Sequence, residues 1–177
     1  YDPIPLNLMD GFNVNKFNGW LKDNNLFFLC TTHPVSANTN WQKGLDRVIL
    51  IDKDKYPLFD INEFMLEVDL LLNDYSTTST DFSIIDRPQL FFMPDYDLYS
   101  DRKGFIEEYR EILPGKEVFD YIEFKESLKL IFEDESAYNA NFIGNKKELL
   151  QKYYDNEGDD SCERNYNFIM EKLNETR

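Results

Sequence analysis

Asp69-Leu70-Leu71-Leu72-Asn73-Asp74-Tyr75-Ser76-Thr77-Thr78-Ser79-Thr80-Asp81-Phe82 is the stretch on which the reading of the fold turns. Three leucines in a row form a short buried-strand pattern, Leu70 to Leu72. A polar cluster from Asn73 to Asp81 follows, and Phe82, Ile84 and Ile85 continue a helix that stops before Arg87-Pro88. Ser and Thr oxygens cap helix N-termini by accepting from backbone N–H groups that have no partner inside the helix. The same N–H groups, with the helix dipole behind them, hold phosphate. In an open α/β sheet, ligands bind at the carboxyl ends of strands. The hydroxyl run therefore has two readings: a phosphate cradle, or a helix start with more caps than it needs.

Working outward, the same alternation recurs on both sides. Phe17 to Lys22 reads as a helix with Phe17, Trp20 and Leu21 inward, and it leads into the apolar run Leu26 to Cys30, ended by Thr31-Thr32-His33-Pro34. Arg47 to Asp52 is a second buried-strand pattern. Ile61, Phe64, Met65 and Val68 fall on one helical face. Gln89 to Met93 is a fourth strand, closed by Pro94-Asp95. Tyr96 to Gly115 is irregular, polar and aromatic, a long loop with a helical turn, and loops of that length are often functional. Helices are expected over Phe124–Phe132, Lys146–Tyr154 and Glu163–Leu173, with an acidic turn at Asp155–Asp160. Strands alternating with helices specify an α/β domain with a largely parallel sheet flanked by helices. No linker divides residues 1–177, which read as one domain.

Composition narrows the function classes. Hydrophobic residues make up 42% of the 177, with 15 Phe and 11 Tyr, enough to build a core. Asp and Glu number 34 against 19 Lys and Arg, a net charge of −15 that repels nucleic acid and anionic lipid. A phosphate ligand must be held locally against that field. No apolar run is long enough to span a bilayer, and no signal peptide opens the chain. Cys30 and Cys162 form neither a disulfide framework nor a metal site; Cys30 reads as core, and the context as reduced and intracellular. The opening Tyr1-Asp2-Pro3, without Met, reads as a piece of something longer.

Other candidate residues carry a functional and a bland reading side by side. His33, the one histidine, follows a strand and precedes Pro34, where it would serve as a phosphate donor or general acid–base, or sit as a loop residue. Arg102-Lys103-Gly104 is the densest positive spot of the long loop: a diphosphate partner, or ordinary surface charge. Asp95-Tyr96-Asp97 has metal-binding DxD spacing, but acidic residues are so common here that it reads as solvated loop. Walker A, GxGxxG and GxSxG patterns are absent.

Taken in order, these stretches resemble the CDP-glycerol glycerophosphotransferase family of teichoic-acid and capsule polymer synthesis. Asp69 to Thr77 with Asp81-Phe82 is similar to that family's D-x-L-I-T-D-Y-S-S…D-F signature. Lys16-Phe17 to Leu29, then Thr32-His33-Pro34, resembles its helix–strand unit ending in His-Pro. Asp86-Arg87-Pro88, Tyr99, Arg102-Lys103-Gly104-Phe105 and Pro114-Gly115 follow its D-R-P…Y…R-G-F…P-G order, and Tyr154-Asp155 to Gly158 with Cys162-Glu163-Arg164 resembles its C-terminal box.

The resemblance implies a GT-B glycosyltransferase-like architecture of two facing Rossmann-like halves, this chain being the C-terminal, donor-binding one and the N-terminal half being absent. CDP-glycerol or a related CDP-polyol would be the donor, a substrate rather than a cofactor, and a teichoic-acid-like polymer or glycan the acceptor. No metal would be needed. Asp74, Ser76, Thr77 and Asp81 would bind the donor, His33 would be catalytic, and Arg102 and Gly104 would lie over the donor or acceptor channel. The protein would be cytoplasmic, peripheral on the inner membrane face, with membrane contact only through the absent half. Two departures stand out: Thr31 occupies the place of a family Lys, and no Thr-Trp-Arg segment precedes the first helix. A GT-B half using a UDP- or GDP-sugar, or a non-catalytic nucleotide-binding domain, are the other readings.

Overall fold

Leu90 and Phe91 lie at the centre of the protein without exposed surface, on the middle strand of a parallel sheet. The computed structural model describes residues 5–31, 44–51, 56–104, 109–154 and 160–175. Within them, β4 (Gln89–Phe91) is flanked by β3 (Leu71–Asn73) and β5 (Lys116–Glu117), both parallel to it, with Leu71 opposite Gln89 and Leu90 opposite Lys116. A second parallel pair joins β1 (Phe28–Thr31) to β2 (Val48–Ile51). A strand buried on both faces needs a continuous apolar run rather than an alternating one, and Leu90 to Met93, after the polar Gln89, supplies it.

Parallel neighbours need long crossovers. Between β3 and β4 runs α3 (Thr78–Phe82), continued by a 3₁₀ turn over Ser83–Ile85. Between β4 and β5 come α4 (Tyr96–Lys103) and a 3₁₀ turn over Tyr109–Ile112. A 3₁₀ turn over Pro5–Leu8 and α1 (Val14–Asp23) precede β1, and α2 (Ile61–Met65) precedes β3. Among the described residues, four helices follow β5: α5 (Tyr121–Glu133), α6 (Glu135–Ala140), α7 (Ile143–Tyr153) and α8 (Ser161–Glu175).

One apolar cluster ties both strand sets together. It runs from Phe17 and Leu21 of α1 through Val48, Leu90 and Val118 to Phe124, Leu128 and Ile131 of α5, with Phe28, Leu70 and Leu72 packed against it. Phe17 is its hub, its ring 5.4 Å from Phe28, 6.0 Å from Phe124 and 6.1 Å from Tyr121. Burying such a ring stabilises the fold by about 1.5–3 kcal/mol. Local chemistry sets the helix starts: Asn13 accepts from the Lys16 N–H at 3.0 Å, and Asp120 from the Glu123 N–H at 2.8 Å, while Glu123 accepts from the Phe119 N–H at 3.0 Å.

The α/β class and the four strands stand where the apolar runs put them; several details differ. The helix expected through Val68 ends at Met65, because the Arg87 guanidinium donates to the Leu66 and Val68 carbonyls and turns the chain toward β3. The long Tyr96–Gly115 loop is instead an eight-residue helix and a 3₁₀ turn around 105–108, which lie outside the described residues. Its packing uses tyrosines rather than an aliphatic stripe, so the apolar periodicity does not announce it. Neither β5 nor α6 was foreshadowed. Cys30 is half-buried rather than sealed, though burial still pushes its thiol up to about 12. Trp20 is likewise half-buried, stacked on Phe17 at 6.3 Å.

Candidate functional site

The chain leaves the carboxyl end of β3 through a turn that its own polar side chains build. Asn73, buried at the strand end, donates from Nδ2 to the Ser76 carbonyl at 2.8 Å, and Asp74 Oδ1 accepts from the Ser76 N–H at 3.2 Å. This Asx-type turn lifts the backbone into α3. Ser76 Oγ then accepts from the Thr78 N–H at 3.3 Å and shares a hydrogen bond with Thr78 Oγ1 at 2.9 Å.

The hydroxyls divide their labour. Thr77, the N-cap residue, is exposed and makes no side-chain cap bond. Ser79 turns inward, 3% exposed, and donates to Gln89 Oε1 at 2.8 Å. Capping thus falls to one long bond from Ser76, and Thr77 keeps its hydroxyl at the positive end of the helix. Asp81 lies one helical turn beyond Thr77 and accepts from the Tyr154 hydroxyl at 2.5 Å, tying α3 to the residue after α7. Burial, and then Asp81, push the Tyr154 phenol up to about 12.

Aromatic rings join this turn to α4. Tyr75 stacks on Tyr99 at 4.1 Å and donates to Asp95 Oδ1 at 2.8 Å; burial, then Asp95, push its phenol far above the usual range. Tyr96 lies 6.5 Å from Tyr75 and carries the Arg110 guanidinium over its ring at 3.9 Å. Arg110 is paired with Glu117 of β5 at 2.7 Å, which raises its pKa further. An open cleft of about 600 Å³ lies over the carboxyl ends of β4 and β5, lined among others by Asp10, Met93, Asp95, Tyr96, Arg110 and Phe119.

Of the residues singled out in the sequence, Asp74, Ser76 and Thr77 share one turn and Asp81 follows on the same helix. Arg102 lies exposed in the last turn of α4 and makes no ion pair with a described residue. Gly104 closes that helix at φ 72° and ψ 159°, a conformation only glycine takes readily, with its N–H donating to the Ser100 carbonyl at 2.9 Å. His33 lies outside the described residues; Thr31 is exposed at the end of β1. Asp95, read as solvated loop, is exposed and also accepts from the Tyr75 hydroxyl. Sequence reasoning passed over Tyr96, Tyr99, Arg110 and Gln89 as site-building residues, since only contacts across the fold give them that role. Among the described residues, no three His, Cys, Asp or Glu side chains gather as metal ligands would.

Residues 7–171 match the family model described as CDP-glycerol:poly(glycerophosphate) glycerophosphotransferase. The chain is 32% identical over 149 residues to the teichoic acid glycerol-phosphate primase of Bacillus subtilis (strain 168), covering 84% of this chain and 35% of that one. It is 37% identical over 87 residues to the teichoic acid glycerol-phosphate transferase of Staphylococcus aureus (strain NCTC 8325 / PS 47), covering 49% and 22%. The solved wall teichoic acid polymerase TagF superposes with a TM-score of 0.69 at 22% identity, over 93% of this chain and 38% of that one. The α/β fold is therefore shared with that polymerase, and the chain spans about a third of the primase's length.

Proposed function

The chain belongs to the CDP-glycerol:poly(glycerophosphate) glycerophosphotransferase family, and from that membership we propose that it is the part of such an enzyme that holds the CDP-linked donor. The observation that carries this is the β3-to-α3 turn, where an exposed N-cap hydroxyl is left out of capping at the positive end of a helix. A diphosphate laid across Ser76 and Thr77 would receive hydroxyl and backbone N–H donors where negative charge accumulates in the transition state. The donor is CDP-glycerol or a related CDP-polyol, in keeping with the family description and with relatives named for glycerol-phosphate transfer.

In the reaction, an acceptor hydroxyl attacks the β-phosphorus, a new oxygen–phosphorus bond forms, and the β-phosphorus–oxygen bond to CMP breaks. The hydroxyl proton passes to a base, a role we give to His33, and CMP leaves with the bond's electrons. Such transfer depends on positioning and charge neutralisation more than on covalent chemistry. Arg102, exposed and without an ion-pair partner among the described residues, is the cation we assign to the departing phosphate or the incoming polymer, and Gly104 ends the helix that presents it. No described helix is long and apolar enough to cross a membrane. We assign the work to the cytoplasmic face, with the acceptor polymer and the membrane met through a partner half.

The test is nucleotide binding by calorimetry with CDP, UDP and GDP, in the chain and in a Ser76→Ala/Thr77→Ala variant. CDP is expected to bind best. The double variant is expected to lose about tenfold or more in CDP affinity, since a charge-assisted hydrogen bond contributes about 1.5–3 kcal/mol, while loss of the long Ser76 cap bond lowers its melting temperature by about 2–4 °C. Unaltered CDP binding with lowered stability would reduce the hydroxyl run to a helix cap.

A further inference from the structure

Gln89 has no exposed surface, yet it opens the most deeply buried strand of the protein with a polar side chain. Its amide is fully engaged with one face of α3. Oε1 accepts from Ser79 Oγ at 2.8 Å, and Nε2 donates to the Ser79 carbonyl at 3.1 Å and to Ser83 Oγ at 2.9 Å. Ser83 Oγ in turn donates to the Ser79 carbonyl at 2.8 Å. The backbone of Gln89 is held as firmly from the other side: its carbonyl accepts from the Tyr138 hydroxyl at 2.5 Å, and that hydroxyl accepts from the Lys116 N–H at 3.0 Å.

We infer that Gln89 is a positioning residue for the donor phosphates, setting the height and rotation of the α3 N-terminus above the sheet; the inference rests on the donor-site reading above. An apolar side chain of similar length would fill the same space, but apolar packing lets a helix slide and roll, whereas three directional bonds to Ser79 and Ser83 fix it. Ser79 stands two residues after Thr77, so a shift at Ser79 is a shift of the Thr77 hydroxyl and the N–H groups beside it. The cost of misplacing such donors is steep, because the diphosphate is met by rigid groups rather than by adaptable long side chains. Ser79 of α3 and Ser83 of the 3₁₀ turn that continues it also let this segment approach the central strand more closely than leucines would.

The experiment replaces the whole network at once, Ser79→Ala, Ser83→Ala and Gln89→Met, so that no buried polar group is left without a partner. Affinities for CDP, inorganic pyrophosphate and cytidine are measured well below the melting temperature. The expected result is a loss of tenfold or more for CDP and pyrophosphate, with cytidine binding as in the wild type. Unchanged CDP affinity in the folded variant, or an equal loss for all three probes, would overturn the inference and leave Gln89 as core filling. Should the triple variant fail to fold, Gln89→Glu is measured against wild type from neutral to acid pH. A neutral carboxyl again donates and accepts, so CDP affinity relative to wild type recovers as the pH falls; no recovery overturns the inference. Absence of CDP binding by the wild-type chain is a separate outcome, which removes the donor-site reading and the positioning role with it.

Discussion

Replacing Gly115 with Ala tests the contact between β5 and the central strand. A Cβ at this position would stand 2.1 Å from the Gln89 carbonyl oxygen, 2.7 Å from its carbonyl carbon and 3.0 Å from its Cβ. No side-chain rotation relieves this, since two of the three atoms are backbone, so the strands must part by about an ångström. Parting them strains the Leu90–Lys116 pairing, the Val118 N–H bond to the Phe91 carbonyl at 2.8 Å, and the Tyr138 bridge to Gln89 and Lys116. Overpacking costs about 1–3 kcal/mol, and a weakened hydrogen bond or two adds about 1 kcal/mol. For a chain of this size each kcal/mol lowers the melting temperature by about 2–4 °C, so Gly115→Ala is expected to melt about 10 °C early. Gly144 supplies the control: it lies in α7, a Cβ there meets nothing within 4 Å, and Ala favours helix by up to about 1 kcal/mol. Thermal unfolding followed by circular dichroism checks both. A Gly115→Ala protein melting within about 2 °C of wild type, or a Gly144→Ala protein falling as far, would refute the reasoning.

Tyr138→Phe strands the Gln89 carbonyl and the Lys116 N–H, so urea unfolding is expected to show a loss of about 1–3 kcal/mol. The same tyrosine sets an alkaline limit: burial raises its pKa from 10.0 to about 12, so its contribution is complete below pH 10 and is lost as the pH rises from there to 12. Stability measured across that window is expected to fall less steeply in Tyr138→Phe than in wild type, and an identical slope would contradict the assignment. Thr31→Lys, at the exposed end of β1, adds a cation where the resemblance described above implies one; calorimetry is expected to show CDP binding severalfold tighter at low salt, the gain fading as salt is added.

The parts of the fold legible in the sequence are those whose burial is local. Leu70 to Leu72 and Gln89 to Met93 declare themselves as strands because a two-faced buried strand is a run of apolar residues bounded by turn formers. Phe17 and Leu21 declare α1 by their spacing. What stayed hidden depends on partners far along the chain. Lys116-Glu117 carries no strand signal, and its place beside β4 follows from the glycine before it, from Tyr138, and from the pairing of Glu117 with Arg110. α4 is a helix built on Tyr96 and Tyr99, whose packing surfaces are another tyrosine and a guanidinium. At the site, the hydroxyl run and Asp74 could be picked out because they follow a buried strand. Which hydroxyl turns inward could not, because the choice is made by Gln89, ten residues later in the chain.

The braces that clamp α3 and its following turn have a consequence for how the protein comes into being. Lys146 pairs with Asp86 across 60 residues at 2.5 Å, and Tyr154 reaches Asp81 across 73. Parallel strands already delay folding, because each must wait for a crossover on the order of twenty residues before its neighbour exists. Here the delay extends further, since α3 emerges from the ribosome long before the helices that hold it. A nascent chain paused short of Tyr154 would carry β1 to β5 with its hydroxyl turn unbraced, and the turn is clamped only once the residue after α7 has emerged.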